Sequence, residues 1–212
     1  MKLIIIIGQV DTNSFVIEEN RHVIIIDPAE AEPIAKAIDD CSWTPDYILL
    51  THEHFDHISG LEELRNRYKV PVIASELSSE RIQDMRENLS RIADILQYYK
   101  TGVAPETRTQ PFVCEAADIT FDEEYELDWQ GHKFSFRRAP GHSPGSTIIS
   151  LDDHSVFTGD YMFFDAEETL RLKGGSEEEY NAKARPILDA LPADCHIYPG
   201  HGKDYLKGQK PE

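Results

Sequence analysis

The stretch Leu49–Gly60, LLTHEHFDHISG, decides how this chain is read. An apolar run ends in it, and His52, His54, Asp56 and His57 follow within six positions. An isolated histidine at a strand end is ordinarily a surface polar residue. Here imidazole nitrogens and a carboxylate crowd together, and these are the borderline ligands that suit zinc, iron or manganese. Along extended backbone alternate side chains share a face, so His52 and His54 can point the same way while Glu53 faces away. Asp56 and His57 come after the chain turns towards a helix, where they can face a second ion beside the first.

The pattern continues downstream. His142 in APGHSPGS, Asp160 in VFTGDY and His201 in YPGHG each follow a predicted buried strand, and glycines at 141, 159 and 200 let the backbone bend and approach closely. One ion would fill its positions before using so many ligands. Two adjacent ions sharing Asp160 as a bridge would use them all and leave positions open for water. The remaining histidines, His22, His132, His154 and His196, read as surface or satisfied core residues.

The rest of the chain supplies the scaffold. KLIIII, SFVIEE and HVIIID read as strands, the first and third too continuously apolar to be half exposed. PAEAEPIAKAIDD reads as a short helix with Pro28 near its start. DYILLT is a further buried strand, SGLEELRNRY a helix and VPVIAS a strand. From Glu76 to about Lys100, Leu, Ile and Met recur at helical spacing with a break expected near Asn88. That segment either packs on a sheet or lies over the site as a lid. YELDWQGHKFSFRRA and STIISLDDHSVFTGD read as hairpins turning at Gln130-Gly131 and Asp152-Asp153. SEEEYNAKARPILDAL reads as a helix with an acidic first turn, and CHIYPGHG as the last strand. The order predicts an α/β fold in a single domain over 1–212, with two sheets face to face and helices outside.

Composition narrows the function classes. The 212 residues are 40% hydrophobic and 28% charged, as expected of a soluble chain with a real core. KLIIII is too brief for a secretory signal, and nothing reads as a membrane span, so a cytoplasmic location is expected by default. Lys and Arg number 21 against 39 Asp and Glu, a formal charge of −18. Proteins that grip phosphate backbones rely on clustered cations, so nucleic acid is disfavoured as substrate or partner. Cys41, Cys114 and Cys195 form no CxxC pair, so neither a disulfide framework nor a cysteine zinc site is indicated. Buried thiols are expected. The oligomeric state is left open.

The motif order TNSFVI, IIIDP, THEHFDHISG, APGHSPGS, FTGD and YPGHG resembles the metallo-β-lactamase superfamily over nearly the whole chain, and within it the glyoxalase II (hydroxyacylglutathione hydrolase) branch. The resemblance implies a four-layer αββα sandwich with metals along one edge. It implies two divalent ions, zinc first with iron or manganese as alternatives. His52, His54 and His142 would hold one, Asp56, His57 and His201 the other, with Asp160 bridging. Asp27 would be either a hydrogen-bond partner behind the ligands or a helix cap. Two departures bear on the substrate. The chain runs only eleven residues past His201, so glyoxalase II's C-terminal helical domain is expected to be missing. The Gly-Arg-Thr-Asp segment usual after the bridging aspartate is replaced by YMFFDAEETLRLKGGS. Both weigh against a glutathione thioester. Tyr98, Tyr99, Tyr161 and Phe163 read as core residues, or as the walls of a different pocket.

Two adjacent cations lower the pKa of a shared water, giving hydroxide near neutral pH. The expected reaction is therefore hydrolysis of a thioester, ester or lactone of a small molecule, with Asp56 a candidate proton shuttle and Asp160 the bridge. Rival readings are a mononuclear-iron persulfide dioxygenase and a metal-binding regulatory protein with little turnover. A tRNA-processing nuclease is disfavoured by charge. A β-lactamase is disfavoured by the extra aspartate and the lack of a visible export signal.

Overall fold

The computed structural model describes residues 1–105 and 108–209. Its plan follows from strands that are apolar on both faces, because successive side chains leave a strand on opposite sides. In β2 (Asn13–Glu19) and β3 (His22–Ile26), Val16, Val23 and Ile25 face one way, and Phe15, Ile17, Ile24 and Ile26 face the other. The first set meets Ile34 and Ile38 of α1 (Ala31–Cys41) and Leu61 and Leu64 of α3 (Leu61–Tyr68), on the outer side of the sheet. The second set meets Phe134, Phe136, Ile149, Leu151 and Phe157 of the other sheet.

The first sheet runs β1 (Lys2–Ile7), β2, β3, β4 (Thr44–Leu49), β5 (Val72–Ser75) and β6 (Ile119–Phe121) in chain order. The second runs β12 (Tyr205–Leu206), β11 (His196–Pro199), β10 (Ser155–Gly159), β9 (Thr147–Leu151), β8 (His132–Arg138) and β7 (Glu124–Trp129). Ile148, Val156 and Ile197 on its outer face pack against Ala184 and Leu188 of the late helical segment, completing the four layers. Parallel pairing of β3 with β4 and of β10 with β11 puts the loops after these strands at one end of the sandwich.

Several boundaries depart from expectation. β1 is half-buried because it is an edge strand, and Ile7 is exposed. α1 begins at Ala31, so Pro33 lies in its first turn, whereas Pro28 precedes it in a tight turn whose carbonyl accepts the Gly60 amide. Between α4 (Glu76–Arg81) and α5 (Ala93–Thr101) the α-helix is interrupted by turns and one 3-10 turn, Ser90–Ile92. The Asn88 side chain explains this: its amide donates to the carbonyls of Ile82 and Phe112 and its oxygen accepts the Ser90 amide, so Ile82 and Ser90 bond to a side chain where a continuous helix would have bonded them to its own backbone. Near the C-terminus Glu177–Glu179 and Arg185–Ala190 are joined through a π-helical turn, Tyr180–Ala184. Pro186, which cannot donate to the preceding turn, accounts for the altered register. β11 is followed by the short β12, so it is not the last strand. Cys114 and Cys195 are buried, but Cys41 ends α1 exposed.

The inter-sheet contact centres on Phe157, edge-on to Phe15 at 4.9 Å and stacked with Tyr198 at 5.1 Å between ring centroids. Truncating it removes buried area from both layers and leaves a cavity. Phe157→Ala is expected to destabilise the protein by about 3–5 kcal/mol in chemical denaturation at fixed metal content. A loss under about 1 kcal/mol would mean the sheets do not rely on this contact.

Candidate metal centre

All seven residues singled out from the sequence converge at this end of the sandwich. His52 and His54 lie in the loop after β4, and Asp56 and His57 in the single turn α2 (Phe55–Ile58). His142 comes from the β8–β9 loop, Asp160 follows β10, and His201 follows β11. The five from His52 to His142 are buried, while Asp160 and His201 are partly exposed. Close approach needs glycine at two of these loops. A Cβ on Gly200 would lie 2.6 Å from both Asp160 Oδ1 and His57 Cε1, and Gly159, at φ +56°, brings its backbone against Thr51.

The imidazoles are aimed by what their Nδ1 atoms touch. His57 Nδ1 donates to Asp27 Oδ2 at 3.0 Å, His142 Nδ1 to the Thr169 carbonyl at 2.7 Å, and His201 Nδ1 to the Asp11 carbonyl at 3.1 Å. His52 Nδ1 lies 3.1 Å from Thr51 Oγ1. Each of these contacts turns Nε2 towards the common centre, the arrangement by which supporting groups fix a ligand histidine. His54 differs, with Nδ1 2.9 Å from His142 Nε2.

The centre fits metal ions. Among the described residues, five buried side-chain polar atoms lack a hydrogen-bond partner; four are here, namely Nε2 of His52, His54 and His57 and Oδ1 of Asp160. Buried polar atoms are normally satisfied, so four unsatisfied ones on these neighbouring residues call for cations. His57 Nε2 lies 3.2 Å from Asp160 Oδ1 without hydrogen-bond alignment, both atoms facing the space between them. One nitrogen or oxygen from each of His52, His54 and His142 falls within 4.8 Å of the others, and the same holds for Asp56, His57 and His201. Asp160 faces both groups: Oδ1 is 3.5 Å from His201 Nε2, and Oδ2 is 3.3 Å from His142 Nε2. A third grouping, Asp27 with His52 and His57, is a supporting one, because the Asp27 carboxylate already accepts from Thr51 N, Thr51 Oγ1 and His57 Nδ1.

Electrostatics prepare the same groups. Burial, reinforced by neighbouring imidazoles, holds His52 and His54 well below the usual histidine range, so both stay neutral. Burial pushes the carboxyls of Asp160 and Asp56 up, but His201, with His142 and His57 for Asp160 and His57 for Asp56, outweighs it and keeps both ionised. Burial pulls His57 down, yet Asp160, Asp27 and Asp56 raise it well above its usual value.

Two supporting features stand out. Asp27 resolves as the hydrogen-bond partner behind His57, at φ 50°, rather than as a helix cap. Glu53 faces away from the ligand histidines, as alternation predicts, but it is fully buried. Its Oε1 receives Arg81 Nε at 2.6 Å, and its Oε2 receives the Ser143 hydroxyl at 2.9 Å. No sequence signal singles out Arg81, since α4 is a short segment with no motif. Of the aromatics, Tyr161 is a buried support whose oxygen accepts the His142 amide. Phe163 and Tyr99 line the cleft above the site, and Tyr98 is exposed.

Residues 7–201 match the family model of the metallo-beta-lactamase superfamily, and the chain belongs to that superfamily. Fold and family together define a member of a metallo-hydrolase superfamily. The chain is similar to the probable metallo-hydrolase YqgX of Bacillus subtilis (strain 168), at 28% identity over 200 residues, 93% of this chain and 88% of that protein. It is 31% identical over 186 residues to the hydroxyacylglutathione hydrolase of Photorhabdus laumondii, covering 87% of this chain but 59% of that enzyme. Among solved structures, the crystal structure of BLEG-1 B3 metallo-beta-lactamase aligns with a TM-score of 0.82 at 27% identity, over 98% of this chain and 95% of that one. No described helix is long and apolar enough to cross a membrane.

The raised His57 pKa fixes a sign. In the ion-free protein His57 binds a proton that a metal ion must displace, so metal affinity should fall as pH falls. Calorimetric zinc titration at neutral pH, in buffers of differing ionisation enthalpy, is expected to show at least about one proton released per chain. Uptake with no proton release would contradict the His57 assignment.

Proposed function

We propose that this chain is a dinuclear metal-dependent hydrolase that cleaves a thioester, ester or lactone of a small molecule. The observation that carries the reading is the Asp160 carboxylate, whose two oxygens face two separate groups of ligand atoms. His52, His54 and His142 would hold one ion, Asp56, His57 and His201 the second, and Asp160 would bridge them. Zinc suits this nitrogen and oxygen set, and iron or manganese would also be accepted. Bound there, the ions would supply Lewis acidity and lower the pKa of water towards neutrality.

The chain's own residues do the rest. Asp56 and Asp160 remain ionised and balance the bound charge. Asp56 is steadied by the Thr12 hydroxyl at 3.2 Å and is the group placed to carry a proton to the leaving atom. Tyr161 accepts the His142 amide at 2.7 Å and donates to the Ala139 carbonyl at 2.8 Å, fixing the His142 loop. Phe55, Leu89, Leu96 and Leu172 wall a cleft of about 470 Å³ over the centre and keep bulk water from the reacting carbonyl. That volume suits a small molecule. The names of the Bacillus and Photorhabdus relatives support hydrolysis, but the glutathione substrate belongs to an enzyme of which this chain spans 59%.

Metal-loaded protein assayed with and without oxygen against thioesters, esters, lactones, a β-lactam and glutathione persulfide tests the reading. Oxygen-independent cleavage of a carbonyl substrate is expected, with Asp160→Asn lowering kcat by at least about 100-fold, the upper range for groups that merely support a metal site. Oxygen consumption on the persulfide with no carbonyl hydrolysis would overturn it. Turnover confined to the β-lactam would replace the substrate class.

A further inference from the structure

The cleft over the metal centre carries an unpaired cation. Its walls are mostly apolar, and its floor is His54, Asp56, His142, Asp160 and His201. Two lysines line it, Lys100 from the last turn of α5 and Lys203 from the loop after His201. Lys203 is already engaged: its ammonium sits 3.4 Å from the Phe164 ring centroid and 3.8 Å from Asp165 Oδ2. Lys100 makes no ion pair or hydrogen bond among the described residues. The lining also includes Asp165 and Glu167, from the segment after Asp160.

A lysine in the last turn of a helix is favoured by the macrodipole, which accounts for a cation at this position but not for its lying against the cleft. Lys100 is exposed overall, yet it lines the cleft, and partial burial lowers its amine's pKa against the pull of Asp160, Asp56 and Asp11. An ammonium gives up hydration at an apolar wall at a cost, and an anion can offset that cost. In a chain of net charge −18, such a cation beside the reacting centre selects for a substrate anion that the rest of the surface repels.

We propose that Lys100 recognises an oxyanion, a carboxylate or phosphate, carried by the substrate a few bonds from the scissile carbonyl, while the apolar wall takes the acyl chain. The substrate class is then an anionic thioester or ester with an apolar acyl group. This deepens the hydrolase reading and rests on it for the position of the carbonyl.

Matched ligands separate the two claims. The binding probes are 3-(hexylthio)propanoate and its neutral isostere 3-(hexylthio)propanamide, titrated by calorimetry into metal-loaded protein. The substrates are the S-hexanoyl thioesters of 3-mercaptopropanoate and 3-mercaptopropanamide. Wild-type protein should bind the carboxylate about tenfold more tightly than the amide, the usual scale of a charge-assisted hydrogen bond. Lys100→Ala should abolish that preference and leave the amide within about twofold, whereas Lys100→Arg should keep most of it. For the thioesters Lys100→Ala should raise KM for the anionic substrate alone, with the change confined to KM and not kcat, and Lys100→Arg should restore most of it. Equal or undetectable binding of the two probes by wild-type protein would overturn the proposal. So would a preference that survives Lys100→Ala, which would place the anion on the ions or on Lys203. If no thioester is cleaved, the hydrolase reading fails on its own, and the binding contrast still decides the role of Lys100. A preference for inorganic phosphate over acetate as a competitor, lost in Lys100→Ala, would assign the anion as phosphate and not carboxylate.

Discussion

The buried carboxylate of Asp27 is the constraint on which the centre depends. It sits at the end of β3 with a left-handed backbone and accepts from the Thr51 amide at 2.7 Å, from the Thr51 hydroxyl, and from His57 Nδ1 at 3.0 Å. A non-glycine residue held in that conformation persists only where its surroundings demand it. Here one carboxylate ties the loop after β4 to the neighbouring strand and decides which nitrogen of His57 faces inward. Thr51 passes the constraint on, its hydroxyl lying 3.1 Å from His52 Nδ1 and its carbonyl accepting the Thr147 amide of β9. The two sheets are thereby joined directly beneath the ligand atoms.

The Glu53–Arg81 pair fixes the other side of the same loop. Burial pushes the Glu53 carboxyl up and Arg81 opposes it, so the pair is stable only while intact. Arg81 also reaches Glu87 and the Lys173 carbonyl, and the segment it touches carries Thr169, whose carbonyl orients His142. The walls of the cleft and the aim of the ligands are one connected network.

The ligand constellation was legible because period-two alternation and abrupt strand ends leave a local trace, as in THEHFDH and YPGHG. The sandwich was legible for a related reason: isoleucine runs such as Val23–Ile26 must be covered on both faces. Features fixed by distant contacts were not legible. The same isoleucine signal in β1 misleads, because only sheet order shows that it is an edge. The helical spacing of residues 76–100 is real, but Asn88 bonds to Phe112, far along the chain, and breaks the helix. Arg81 and Lys100 look like ordinary helix-surface cations until the fold shows one paired with the buried Glu53 and the other lining the cleft.

The central claim is that Asp160 stands between two metal ions. Elemental analysis of protein purified without added metal, paired with anomalous diffraction from its crystals, tests this most directly. Close to two transition-metal ions per chain are expected, one on each side of the Asp160 carboxylate. A single ion per chain that remains single after metal supplementation would contradict it.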